Sequence, residues 1–159
     1  MATTAFKGTP VTTVGELPTV GQPAPTFDLV GTDLTPVTRE SLPGRIVLNI
    51  FPSIDTGVCA QSVRTFNERA NDLDNTVVLN VSNDELETLA GFCAAEGLDN
   101  VTVGSAKGTD FGKDYGLTLN EGPLADRLAR AVVVVGTDGS DPSGTALLWA
   151  AAWLVLRRL

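Results

Sequence analysis

Three mainly apolar, β-favouring stretches constrain this chain most: RIVLNIF at 45–51, TVVLNV at 76–81 and RAVVVVG at 130–136. Runs of this kind, without the alternation of a half-exposed strand, suit strands covered on both faces. The segments between them keep a different rhythm. Val58, Ser62, Val63, Phe66, Ala70 and Leu73 fall at helical spacing. ELETLAGFCAAEG at 85–97 reads as a second helix, with Ser82, Asn83 and Asp84 available to cap its start and Gly97 to end it. Strand, helix, strand, helix, strand is an α/β layout with a parallel component.

Shorter elements complete the frame. AFKGTPVTTV at 5–14 alternates weakly about Gly8 and Pro10 and predicts a hairpin. TFDLVG at 26–31 and NVTVGS at 100–105 predict short strands, and DFGKDYG at 110–116 a helical turn. A chain of 159 residues suits one domain, 1–159, whose tail changes character from residue 140. There Asp141, Pro142, Ser143 and Gly144 precede eleven consecutive apolar residues at 146–156, with Trp149 and Trp153 one helical turn apart. The expectation is a helix of about 16 Å, roughly half a bilayer core and so no membrane span. It would be buried or face an oligomer partner, with Arg157 and Arg158 at its C-terminal end.

Composition narrows the chemistry. Nineteen acidic residues against eleven basic ones leave a net charge of −8, which repels nucleic acid and anionic membranes. Neither is expected as a partner. The chain has no histidine, so Cys–His and Ser–His catalysis within one chain is excluded and histidine-ligated metals are not expected. Its two cysteines, Cys59 and Cys93, form no CxxC pair and cannot build a four-cysteine site. GSAKGTDFG at 104–112 lacks the order of a phosphate-binding loop. The first residues, MATTAFKGTPVTTVGELP, lack the charged and apolar regions of a signal peptide, so a cytoplasmic, reducing setting is the default.

The candidate for chemistry is PSIDTGVC at 52–59. It sets Cys59 after a strand and a cluster of turn residues, where a helix begins. Backbone N–H groups at a helix start carry partial positive charge, and a thiolate is the reactive form of cysteine. The dipole alone, at about 0.3–1 kcal/mol, lowers a thiol pKa of about 8.5 by less than one unit. A full positive charge nearby adds ~1–3 units, by analogy with a carboxylate beside arginine. A reactive Cys59 therefore needs a cation, and Arg45, Arg64, Arg127 and Arg130 are all candidates. Asp55 has to point away, because a facing carboxylate would keep the thiol protonated. Thr56 and Asp55 both suit a helix cap, and a free cysteine is often just a small buried hydrophobe.

Pro52-x-x-x-Thr56-x-x-Cys59 resembles the active-site signature of the peroxiredoxins. The longer strings LNIFPSIDTGVC, SVRTFNERA, FCAAEGLDNV, DYGLTLNEGPL and LARAVVVV resemble its bacterial thiol peroxidase branch, an atypical 2-Cys group, from about Phe6 to Gly139. The resemblance implies a thioredoxin-like α/β fold, with a central mixed sheet flanked by helices and an N-terminal β-hairpin. It implies a thiol-dependent peroxidase acting on hydrogen peroxide and organic hydroperoxides, with no cofactor. Cys59 would be the peroxidatic cysteine, and Thr56 would hydrogen-bond the thiolate and the peroxide. Pro52 would shield the pocket, Arg130 would supply the cation, and Cys93 would resolve the sulfenic acid as an intramolecular disulfide. Thioredoxin would be the reductant and a homodimer the assembly. To reach Cys59, Cys93 would have to leave its helix by unwinding around 91–97.

Past Gly139 the sequence departs from the family, which continues with a strand, a loop and an amphipathic helix. Pro142 argues against a ladder position there. The strand at 131–135 is therefore expected to lose a neighbour and expose an edge. A rival reading of the whole is a thioredoxin-fold redox sensor or binding protein, whose two cysteines switch without useful turnover.

Overall fold

The computed structural model describes residues 2–19, 21–42, 44–70, 74–98, 102–136 and 147–153, the last segment and Ala70 by backbone alone. In chain order the elements are β1 (Thr3–Phe6), β2 (Thr9–Thr12), β3 (Asp28–Gly31), β4 (Pro36–Thr38), β5 (Arg45–Ile50), α1 (Gly57–Ala70), β6 (Thr76–Ser82), α2 (Leu86–Glu96), β7 (Thr102–Ser105), α3 (Phe111–Asp114), β8 (Ala131–Gly136) and β9 (Leu147–Trp153). β1 and β2 form the expected hairpin, turning through Lys7 and Gly8 at positive φ. The remaining strands make one sheet in the order β4-β3-β7-β6-β5-β8-β9.

The three apolar runs lie side by side at its centre. β5 pairs parallel with β6 and antiparallel with β8, and β6 pairs parallel with β7. The sheet is mixed, in a thioredoxin-like arrangement. Two successive crossovers, through α1 and α2, step the same way across it. Right-handed crossovers in one direction put both helices on one face.

The strand residues sort accordingly with period two. Ile46, Leu48 and Ile50, Leu79 and Val81, and Ala131, Val133 and Val135 all point into the larger core, with Phe27, Phe111, Tyr115, Leu117 and Leu128. The opposite face carries a smaller core of Phe51, Ile54, Cys59, Val63, Leu89 and Val103. Two asparagines interrupt that helix-covered face. Asn49 Nδ2 donates to Asn80 Oδ1 at 2.8 Å, and Ser62 Oγ donates to Asn49 Oδ1 at 3.2 Å. A buried amide left unbonded would cost ~1–3 kcal/mol, so the pair fixes β5 against β6 and the start of α1 above them.

Gly116, just past α3, packs directly against the backbone of Glu16 in the segment that follows the hairpin. Its φ is +66°, and a Cβ there would lie 2.3 Å from Glu16 O. Only glycine fits both demands.

Four expectations need correction. The apolar run at 146–156 is not a helix where it is described: Leu147–Trp153 is strand β9, antiparallel to β8, with an irregularity between Val134 and Val135. Accordingly β8 does not lose its neighbour. A run with no polar residue has no face, so periodicity cannot separate helix from strand. The free N–H and C=O groups along the β8 edge decide the matter. Pro142, Arg157 and Arg158 lie outside the described residues. Ser82 and Asp84 do not cap α2, whose N-cap is Glu85 with no side-chain cap bond; Gly97 does end it, in the left-handed region. Finally, β4 was not expected at all. Among the described residues no helix is long and apolar enough to cross a membrane.

Candidate active site

β5 delivers the chain to the C-terminal end of the central strands, where 51–56 turns into α1. The turn is tightly bonded. Thr56 Oγ1 donates to Ser53 O at 3.1 Å and accepts the Cys59 N–H at 3.3 Å. Thr56 is thus the cap of α1, satisfying one of the N–H groups that a helix start leaves free. Its hydroxyl is engaged with backbone and not with the sulfur, which differs from the expected thiolate bond. Thr56 sits on the loop that carries Cys59, so a small rotation of the hydroxyl redirects it.

Cys59 occupies the first turn of α1 and is 2% exposed. Arg130, immediately before β8, is 8% exposed, and its Nη2 donates to Cys59 Sγ at 2.8 Å. Of the four candidate cations, Arg130 is the one at the sulfur. Arg45 begins β5, at the opposite end of the strand from the site. Arg64 pairs with Glu96 through both carboxylate oxygens, and its guanidinium lies 5.7 Å from the Phe92 ring centre. Arg127 pairs with Asp84 at 2.9 Å. The Arg130 Nε has no hydrogen-bond partner among the described residues. A buried guanidinium N–H left free is costly unless something else comes to it.

Asp55 is exposed, as the thiol requires. Pro52 is buried and lines, with Arg130, a narrow cleft of about 20 Å³ walled by Phe6, Val11, Leu119 and Leu124. The hairpin contributes Phe6 and Val11, so the N-terminal strands form one wall of the site. Cys59 does not line this cleft.

Cys93 lies near the end of α2, half-buried, and packs against the same apolar cluster that holds Cys59. Burial pushes its thiol above the ordinary range. Both cysteines are free thiols. The Cys93 carbonyl accepts from the backbone N–H of Gly97 and, at 3.2 Å, from that of Leu98, which ties it into the helix end.

The residues that sequence reasoning did not place at the site are Ser53, Asp84 and Arg127 as a carboxylate partner. Ser53 Oγ donates to Asp84 Oδ1 at 2.9 Å, and the Ile54 N–H donates to Asp84 Oδ2 at 2.7 Å. The available signal was a charged residue three positions past the apolar run at 76–81, where a local cap reading was sufficient. Among the described residues no group of three or more histidine, cysteine, aspartate or glutamate side chains is arranged to hold a metal ion.

Comparison with known proteins fits this geometry. The sequence pattern described as Redoxin matches residues 19–140. The thiol peroxidase of Mycobacterium tuberculosis (strain ATCC 25618 / H37Rv) is 50% identical over 141 residues, covering 88% of this chain and 85% of that protein. The thiol peroxidase of Corynebacterium glutamicum is 51% identical over 140 residues, covering 87% and 85%. A peroxiredoxin-like protein from Aquifex aeolicus, solved by crystallography, aligns with a TM-score of 0.84 at 30% identity, over 97% of this chain and 86% of that one. Matched by the Redoxin pattern over most of its length and about half identical to two thiol peroxidases, the chain belongs to the Redoxin family, among its thiol peroxidases.

Proposed function

We propose that this chain reduces hydrogen peroxide and organic hydroperoxides with Cys59 as the attacking thiol and Cys93 as the resolving one. The observation that carries the proposal is the 2.8 Å contact from Arg130 Nη2 to Cys59 Sγ in a site closed to water. A guanidinium at that distance sets a positive charge and a hydrogen-bond donor against the attacking sulfur. The helix N-terminus adds to it in the same sense.

The steps balance without a metal or organic cofactor. The Cys59 thiolate attacks the terminal oxygen of ROOH, an S–O bond forms, the O–O bond breaks, and RO⁻ leaves to take a proton as ROH. In the transition state negative charge spreads over both oxygens. The Arg130 Nε, otherwise unpartnered, and the Thr56 hydroxyl, once turned from Ser53, are the donors available for that charge. Pro52, buried beside Arg130, helps to keep solvent from the sulfur.

The Cys93 thiol then attacks the sulfenic sulfur, releasing water and forming a Cys59–Cys93 disulfide. Since the Cys93 carbonyl is bound into the C-cap of α2, this step needs the 91–97 segment to unwind. A dithiol protein of the thioredoxin type returns both thiols by exchange, in a cytoplasmic, reducing setting. The family resemblance supports a homodimer, and the length of the chain supports one domain over 1–159. Steady-state peroxide consumption coupled to thioredoxin and its reductase tests the whole: sustained turnover, abolished in Cys59→Ser, is expected. A single stoichiometric oxidation without turnover would leave a redox switch instead.

A further inference from the structure

Asp84 is the buried charge that the peroxide chemistry leaves unused. It lies just past β6 and is 4% exposed. Both carboxylate oxygens are fully engaged. Oδ1 accepts from Ser53 Oγ at 2.9 Å and from Arg127 Nη1 at 2.9 Å. Oδ2 accepts from the Ile54 N–H at 2.7 Å and from Ser82 Oγ at 2.7 Å. Its own carbonyl accepts from Ser105 Oγ at 2.7 Å, at the end of β7. Burying a carboxylate is unfavourable unless it is neutralised and bonded throughout, as here. A helix cap would need none of this, and α2 begins without one.

What the carboxylate grips is the turn beneath the sulfur. Arg127 Nη1 also donates to Pro52 O at 3.3 Å, so Pro52, Ser53 and Ile54 are all tied to the Asp84–Arg127 pair. From there three links reach the sulfur's own residue: Asp84 to Ser53, the Ser53 carbonyl to the Thr56 hydroxyl, and that hydroxyl to the Cys59 N–H. Arg127 and Arg130 sit on one short segment, which is itself held by Leu119 N–H to Arg127 O and Ala129 N–H to Leu117 O. One end of that segment clamps the turn and the other binds the sulfur.

We infer that Asp84, braced by Arg127, is a positioning residue that sets the 52–56 turn in register with Arg130, so that Thr56, Arg130 and Cys59 converge on one peroxide. The inference rests on Cys59 being the attacking thiol. Neither Asp84 nor Arg127 bonds the sulfur among the described contacts; they act through the turn.

The test compares two reactions of Cys59 in a Cys93→Ser background, which isolates the first step. Peroxide attack needs the sulfur and the donors in register, whereas alkylation by iodoacetamide needs only an accessible thiolate. Rates are followed for Asp84→Asn and for Arg127→Ala, the second chosen because the Arg127 side chain is 40% exposed and its loss leaves Asp84 bonded to Ser53, Ile54 and Ser82. Expected is a fall in the peroxide-to-alkylation rate ratio on the order of 10–100-fold for Asp84→Asn, the scale of a sub-ångström to 1 Å misplacement, and a smaller fall for Arg127→Ala. A merely structural role would lower the folded fraction and leave the ratio of the folded protein unchanged. If Asp84→Asn does not fold, Arg127→Ala alone decides. An unchanged ratio in Arg127→Ala overturns the inference. A parent protein whose Cys59 reacts with H₂O₂ no faster than a free thiol overturns the underlying assignment instead, and the two failures are told apart by that control.

Discussion

Arg130 and Cys59 are 71 residues apart in sequence and 2.8 Å apart in space, buried together where β8 begins beside the first turn of α1. The antiparallel pairing of Ile50 with Ala131 produces this meeting. It aligns the last residue of β5 with the first of β8, so the turn after one strand and the residue before the other share one end of the sheet.

Removing the guanidinium takes away both the sulfur's partner and a free donor. Arg130→Gln is expected to slow oxidation of Cys59 by H₂O₂ on the order of 10²–10³-fold, the effect of losing one preorganised donor to a developing anion. Arg130→Lys keeps a charge without the planar fork and should fall between. Stopped-flow rates on the three proteins check this; a wild-type rate in Arg130→Gln would contradict it.

Arg64 and Glu96 strap the last turn of α2 to α1 through two bonds of 2.9 Å. The hydrogen bonds from Arg64 hold the Glu96 carboxyl below its usual range. Its contribution is therefore present above the ordinary glutamate pKa and lost only as pH falls through the lowered value, so the strap is in place at neutral pH. Glu96→Gln is expected to speed disulfide formation roughly two- to fivefold, in keeping with an exposed pair. Acid-quenched mass spectrometry gives the rate, and a slower disulfide would argue against the strap.

One half-buried and one buried group predict an alkaline limb in stability. Burial raises the Cys93 thiol, and burial together with nearby Asp114 raises the Tyr115 hydroxyl, which donates to Pro25 O at 2.8 Å. In both cases the folded state holds its proton more tightly than the unfolded chain. Stability is thus full below the unfolded pKa, about 8.5 for cysteine and 10 for tyrosine, and is lost as pH rises above it. Above pH 10, Tyr115 alone gives a slope of about 1.4 kcal/mol per pH unit at most. Urea unfolding between pH 8 and 11 should show this decline flattened in Tyr115→Phe; an equally steep decline in that variant would exclude Tyr115 as the cause.

Gly116→Ala tests the joint between the hairpin side and the sheet. Its added methyl would meet Glu16 O at 2.3 Å in a left-handed backbone. Destabilisation of about 2 kcal/mol or more is expected, from the αL penalty plus forced displacement. Chemical denaturation reads it directly, and a loss below 0.5 kcal/mol, the range of neutral surface changes, would show that the segments separate freely.

The sequence announces the centre of this fold clearly because β5, β6 and β8 are short, mainly apolar, β-branched runs, which suit strands covered on both faces. Cys59 stood out by its place after a strand and at a helix start, whereas the family resemblance singled out Thr56 and Pro52 as site residues. Arg130 was not separable from Arg45, Arg64 and Arg127 by spacing, since the register between β5 and β8 decides it; the family resemblance singled it out. Asp84 looked like a helix cap because that preference is local, whereas its donors Ser53, Ile54 and Arg127 lie 30 to 43 residues away. β4, three residues opening on Pro36, is an edge strand too short to leave a pattern. The tail misled for the opposite reason: a uniformly apolar stretch fits helix or strand, and the open edge of β8 chose strand.

The most direct test of Cys59 as attacking thiol and Cys93 as its resolver is mass spectrometry after one equivalent of H₂O₂. In the wild type the predicted product has lost two hydrogen atoms, with a Cys59–Cys93 disulfide in the digest; in Cys93→Ser, Cys59 alone gains oxygen. Oxygen appearing first on Cys93, or both thiols surviving the treatment, would contradict the assignment.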